Sequence, residues 1–196
     1  MFKSKIIAIF MAIITCQSVF ANNEQNQQIA EKVAYIYASG TISNQILNTE
    51  YQRLDKKNIP IATKQRFECL SSHSNDATYA QFLLPKIADF MQGKTKSEIR
   101  VYQKALNDKK LIELLRNIVL SRNRMTSHNT AYYAEQLEMY ENAENVIALY
   151  ELMVLENIDL NKATTSQEQY NKASYFGKQM SEQYLDYIFQ KCDIIK

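Results

Sequence analysis

Cysteine, histidine and glutamate are the residue types in this chain whose placement could carry chemistry. The cysteines are Cys16, Cys69 and Cys192, the histidines are His73 and His128, and six glutamates crowd one stretch: Glu135, Glu138, Glu141, Glu144, Glu151 and Glu156. A di-iron bundle would need paired Glu-x-x-His, a zinc protease His-Glu-x-x-His, and a covalently held haem Cys-x-x-Cys-His. None of these spacings occurs, nor does a Gly-rich phosphate loop or a Gly-x-Ser-x-Gly nucleophile elbow. The sequence therefore predicts no metal set, no cofactor and no catalytic constellation. His73 and His128 both fall in polar stretches that read as loops ahead of helix caps, where an imidazole is ordinarily solvated or capping.

The glutamates recur at spacings of three, which puts several on one helical face. The segment before them is basic, with Lys109, Lys110, Arg116, Arg122 and Arg124. Two consecutive helices of opposite charge are expected to pair, although exposed ion pairs contribute only about 0.2–1 kcal/mol each. The catalytic alternative takes one of these acids, half-buried among tyrosines, as a general acid in a cell-envelope hydrolase. The second carboxylate at glycosidase spacing cannot be identified from the sequence.

The cysteines have to be read together with the N-terminus. Lys3 and Lys5, the apolar run Ile6 to Ile14 and the small residues at Val19 and Ala21 have the layout of a secretory leader over residues 1–21. Cleavage after Ala21 would start the mature chain at Asn22, in the periplasm or the medium. The alternative is a lipobox at Ile13-Ile14-Thr15-Cys16, with Thr where a smaller residue is usual; it would lipidate Cys16 and tether the protein to a membrane. The apolar run is too short to span a hydrocarbon core about 30 Å thick, and no later segment is long or apolar enough. Cleavage leaves Cys69 and Cys192, and an oxidising compartment favours one disulfide between them. That bond would pin the C-terminus to an early helix and contribute about 4–5 kcal/mol in the chain-entropy model. The alternatives are separate thiols or an intermolecular bond through Cys192.

Charge favours neither nucleic acid nor an anionic membrane surface as a partner, and the expectation is no nucleic acid and no membrane span. The leader holds two lysines and no acid, so of 23 basic and 21 acidic residues the remainder carries 21 of each. A neutral chain has no field to steer it onto nucleic acid or anionic lipid.

The elements that must position these residues are helical. Three glycines and two prolines are too few for a turn-rich fold, and neither sustained alternation nor an Asn-Gly or Asp-Gly hairpin occurs. The expectation is an all-α single domain over residues 22–196, a bundle of about six to eight helices. The first runs from Glu24 to Ser39 and stops at Gly40, and the second continues to about Lys57. A short helix carries Phe67, Cys69 and Leu70, and Ser71 to Asp76 form a loop. A helix from Asp76 to Gln92 is expected to kink or divide at Pro85. Thr95 and Glu98 have capping-box spacing, the next break falls at Asn107-Asp108, and a helix follows from Lys109 to Arg122. Caps at Ser127 to Thr130 precede the longest helix, from Ala131 to Glu156. Its two apolar stripes, Tyr133-Leu137-Tyr140-Ile147-Val154 and Tyr132-Met139-Val146-Tyr150-Met153, predict the centre of the bundle. After a polar turn at 162–165, Ser166 caps a last helix to about Phe189.

Thirteen tyrosines and eight phenylalanines supply aromatic surface as well as core. Tyr175 and Phe176, beside the mid-helix Gly177, are the predicted contact patch. The function expected is non-catalytic binding to another envelope or exported protein, as an adaptor, a chaperone or an immunity-type protein.

Overall fold

The computed structural model describes residues 24–53, 59–123, 127–158 and 166–193, and among them the protein is all-helical with no strand. The leader at 1–21, Cys16 within it, and the polar turn at 162–165 lie outside the described residues. Among the described residues nine helices follow one another: α1 (residues 24–37), α2 (Ser39–Arg53), α3 (Ile61–His73), α4 (Asp76–Met91), α5 (Lys96–Leu106), α6 (Lys109–Asn123), α7 (Ser127–Glu138), α8 (Ala143–Val154) and α9 (Ser166–Lys191). No helix among the described residues is long and apolar enough to cross a membrane.

The core is one contiguous cluster drawn from α1, α4, α5, α6, α8 and α9. Helix α1 is its most deeply buried strip, with Ile29, Ala30, Val33, Ala34 and Ile36 all 2% exposed or less. Against it lie Tyr79, Phe82, Leu83 and Ile87 of α4, Leu111 and Leu115 of α6, and Leu149 and Leu152 of α8. Polar clamps fix the helix ends. The Lys32 ammonium donates to the Leu106 carbonyl at the end of α5 (2.5 Å), and the Tyr37 hydroxyl donates to the Met153 carbonyl of α8. Helix α9 packs on α3, α4 and α8, with Met180, Tyr184 and Ile188 inward.

Five features of the helices differ from those the sequence predicts. Ala38, not Gly40, ends α1: it adopts a left-handed conformation (φ 50°) and is fully buried, and Gly40 lies within α2. That conformation costs a non-glycine residue about 1–2 kcal/mol, offset by the burial of α1 on one side of the turn. Pro85 does not divide α4, which runs unbroken from Asp76 to Met91. The apolar residues on both sides of Pro85 face the same core, and their burial outweighs a penalty of about 3 kcal/mol. Helix α3 extends through Ser71 to His73, so His73 is a helical residue; the helix α7 likewise begins at Ser127, so the backbone of His128 is helical. The predicted long helix is two helices, which takes the count above the expected six to eight. Asn142 caps α8 by accepting the Asn145 amide at 3.2 Å, and residues 139–142 leave the helix. The break changes the phase of the two stripes. Ala148, Leu149 and Leu152 of α8 are buried, while Tyr132 of α7 and Met139 in the turn after it are 58% and 65% exposed.

Candidate functional site

The densest group of chemically capable side chains sits where α3 meets the end of α9. Cys69 and His73 are one turn apart on α3, so both project from one face. Cys192 follows the last turn of α9, and its sulfur lies 2.06 Å from that of Cys69, with Cα atoms 5.9 Å apart. This is disulfide distance, compatible with a location outside the cytoplasm. The His73 Nδ1 lies 3.6 Å from Cys69 Sγ and 4.0 Å from Cys192 Sγ. It donates to the Cys69 carbonyl at 3.0 Å and meets the Ser72 hydroxyl at 3.1 Å. The buried Tyr184 hydroxyl donates to the His73 carbonyl at 2.8 Å, tying α9 to the end of α3. Around it Tyr37, Tyr79, Phe82 and Tyr187 form an aromatic cluster, with Tyr79 and Tyr184 edge-to-face at 4.7 Å. Burial pushes the Tyr37, Tyr79 and Tyr184 phenols well up, so these tyrosines stay neutral across the physiological range.

Three potential metal-ligand atoms thus come together within 4.8 Å, from half-buried residues. The sequence reading missed the group because it placed His73 in a loop. The signal was present as Cys69-x-x-x-His73, a spacing that aligns two ligands once the helix is known to continue.

The acids of the hydrolase alternative are spread out by the break between α7 and α8. Glu135, Glu138, Glu141 and Glu144 are exposed. Glu144 forms an ion pair with Lys104 of α5 at 3.8 Å. The half-buried acid beside a tyrosine is Glu151, and both of its oxygens are engaged. One accepts the Tyr102 hydroxyl at 2.8 Å and the other accepts the Ile158 amide at 2.7 Å, closing the chain after α8. Helices α6 and α7 do pack together as expected, but Arg116 and Lys110 turn to other partners, and the side chains of Arg122 and Arg124 lie outside the described residues. The Arg116 guanidinium stacks on the Tyr35 ring at 3.9 Å, donates to the Tyr35 carbonyl and lies 3.8 Å from Asp76. Lys110 sits over the Tyr140 ring instead.

Of the predicted contact pair, Phe176 is half-buried and packs against the core, and the side chain of Tyr175 lies outside the described residues. Two large apolar side chains near one end of the molecule's seventh helix are exposed: Tyr132 on α7 and, seven residues on, Met139 in the turn after it, whose amide still donates to the Glu135 carbonyl at 3.1 Å. Comparison of the chain with protein-family models, with curated proteins and with solved structures returns no match.

Proposed function

We propose that this chain is exported and works by non-catalytic binding to another envelope or exported protein, as an adaptor, a chaperone or an immunity-type protein. The observation that carries the reading is the pair of large apolar side chains turned to solvent, Tyr132 on α7 and Met139 in the turn just after it. Aromatic and methionine side chains are enriched at protein contacts because they offer large area at modest entropic cost. Exposed Glu135 and Glu138 border the pair. Its complement is a partner surface with an apolar centre and a lysine- or arginine-rich rim. The hydrolase alternative has less support: its half-buried acid, Glu151, is bonded through both oxygens, and the remaining glutamates are exposed.

The test places a photo-crosslinking side chain at Tyr132, at Met139, at Tyr175 and, as a control, at the exposed Glu182, in protein exported by its native cell. Binding through α7 yields one common adduct from Tyr132 and Met139 and none from Glu182, and Tyr132→Ser with Met139→Ser abolishes it with an unchanged helical spectrum. An adduct from Tyr175 alone moves the contact to α9. Release of soluble fragments from isolated cell wall, lost in Glu138→Gln or Glu144→Gln, overturns the binding reading. N-terminal sequencing of the same material is expected to begin at Asn22; a lipid-modified Cys16 would overturn release from the membrane.

A further inference from the structure

We propose that Cys69, His73 and Cys192, once their disulfide is reduced, form a binding site for a single zinc ion, so that this corner exchanges a covalent clasp for a metal one. The inference does not depend on the partner-binding reading. A tetrahedral zinc ion with Zn–S of about 2.3 Å and Zn–N of about 2.0–2.1 Å separates its ligand atoms by about 3.5–3.8 Å. Two edges of that triangle already have nearly this length, at 3.6 Å and 4.0 Å from His73 Nδ1 to the two sulfurs. Only the sulfur–sulfur edge is short, because it is bonded at 2.06 Å. Breaking the bond lets the sulfurs part by under about 2 Å, a movement within reach of χ1 adjustment at two side chains.

The surroundings fit the exchange. The imidazole Nδ1 now donates to the Cys69 carbonyl, so metal binding moves the ring proton to Nε2 and leaves that carbonyl to the Ser72 hydroxyl, which already donates to it at 2.7 Å. The bond from Tyr184 to the His73 carbonyl is untouched and keeps the end of α3 in place. All three ligand residues are half-buried, which gives reductant and ion a path in and leaves the fourth zinc position to water. The steps balance. A dithiol reductant gives two electrons and two protons to the disulfide and becomes a cyclic disulfide. Zn²⁺ then displaces the two thiol protons and stays divalent throughout. Thiolate and imidazole donors suit zinc better than hard oxygen-seeking cations.

The experiment takes full-length exported protein, reduces it with a water-soluble phosphine, desalts it, and titrates zinc against a chromophoric chelator. Cobalt(II) is the spectroscopic probe for thiolate ligation. The reduced protein is expected to bind one equivalent with a cobalt–thiolate charge-transfer band, and the oxidised protein none. Cys192→Ser is expected to lose at least a hundredfold in affinity, and His73→Asn about ten- to a hundredfold, the second without changing the oxidised fold. Where reduction lowers helical content, zinc is expected to restore it in the wild type and not in His73→Asn. Equal zinc binding before and after reduction, an affinity unmoved by His73→Asn, or failure of zinc to restore a lost helical signal would each overturn the proposal.

Discussion

Thr95 and Glu98 hold the start of α5 by a reciprocal exchange. The Thr95 hydroxyl accepts the Glu98 amide at 3.3 Å, while the Glu98 carboxylate accepts the Thr95 amide and hydroxyl, each at 2.7 Å. Those bonds to Thr95, aided by nearby Lys94, hold the Glu98 carboxyl below the usual glutamate range. A depressed folded value means that the contribution is complete above the unfolded value near about 4.3 and is lost as pH falls through the folded one. Urea unfolding of Glu98→Gln is therefore expected to lose less stability than wild type on acidification from neutral pH to below that range. Equal losses in the two proteins would show that the box carries no proton linkage. Thr95→Ala, which removes the cap itself, is expected to cost about 1 kcal/mol.

Asp108 acts on elements rather than on one turn. Its carboxylate accepts the Leu111 amide at 3.1 Å as the cap of α6, the Tyr140 hydroxyl at 2.6 Å and the Asn145 side-chain amide at 3.1 Å, so one residue joins α6 to the break itself at Tyr140 and to the start of α8 at Asn145. Burial pushes this carboxyl up, but the bonds from Tyr140, Asn145 and Leu111 outweigh it and hold it below the ordinary aspartate range. On the other side, burial and the bond to Asp108 push the Tyr140 phenol up to about 12. Asp108→Ala is expected to cost about 2–3 kcal/mol in chemical denaturation, combining a lost cap with a buried Asn145 amide left unpaired. Asp108→Asn, which keeps one acceptor oxygen, is expected to cost less. A loss under about 0.5 kcal/mol for Asp108→Ala would mean that the joint is held by apolar packing alone. The break it braces could have been read at Asn142, a good cap residue, but the apolar spacing on both sides suggested continuity. Periodicity records which residues are apolar and does not mark a turn of four residues that restarts the helix in a new phase.

For the whole molecule, the Cys69–Cys192 contact joins positions 123 residues apart and ties the last helix to the third. In the chain-entropy model a closure of that length stabilises by about 4–5 kcal/mol, because it removes many conformations from the unfolded chain. Mass spectrometry of unreduced exported protein is expected to find the Cys69 and Cys192 peptides linked within one chain. Cys192→Ser is expected to lower the unfolding free energy by a comparable amount. Two free thiols, or a linkage between chains, would sink this reading.

The pairing of Cys69 with Cys192, the capping box at Thr95 and the helix starting at Asp76 were all legible in the sequence, because each depends on local spacing or on a choice with one internal solution. The all-helical class was legible too, since scarce glycine and proline and apolar spacing near 3.6 are properties of composition and order. Tertiary packing alone decided the rest. It made Ala38 the end of α1, since burial of α1 and of Ala38 itself outweighs the left-handed strain there. It carried α4 through Pro85, left Tyr132 and Met139 facing solvent, and brought His73 beside two sulfurs whose residues stand 123 positions apart. Each of these outcomes is set by which faces meet, and that is a balance among distant burial terms that local spacing does not contain.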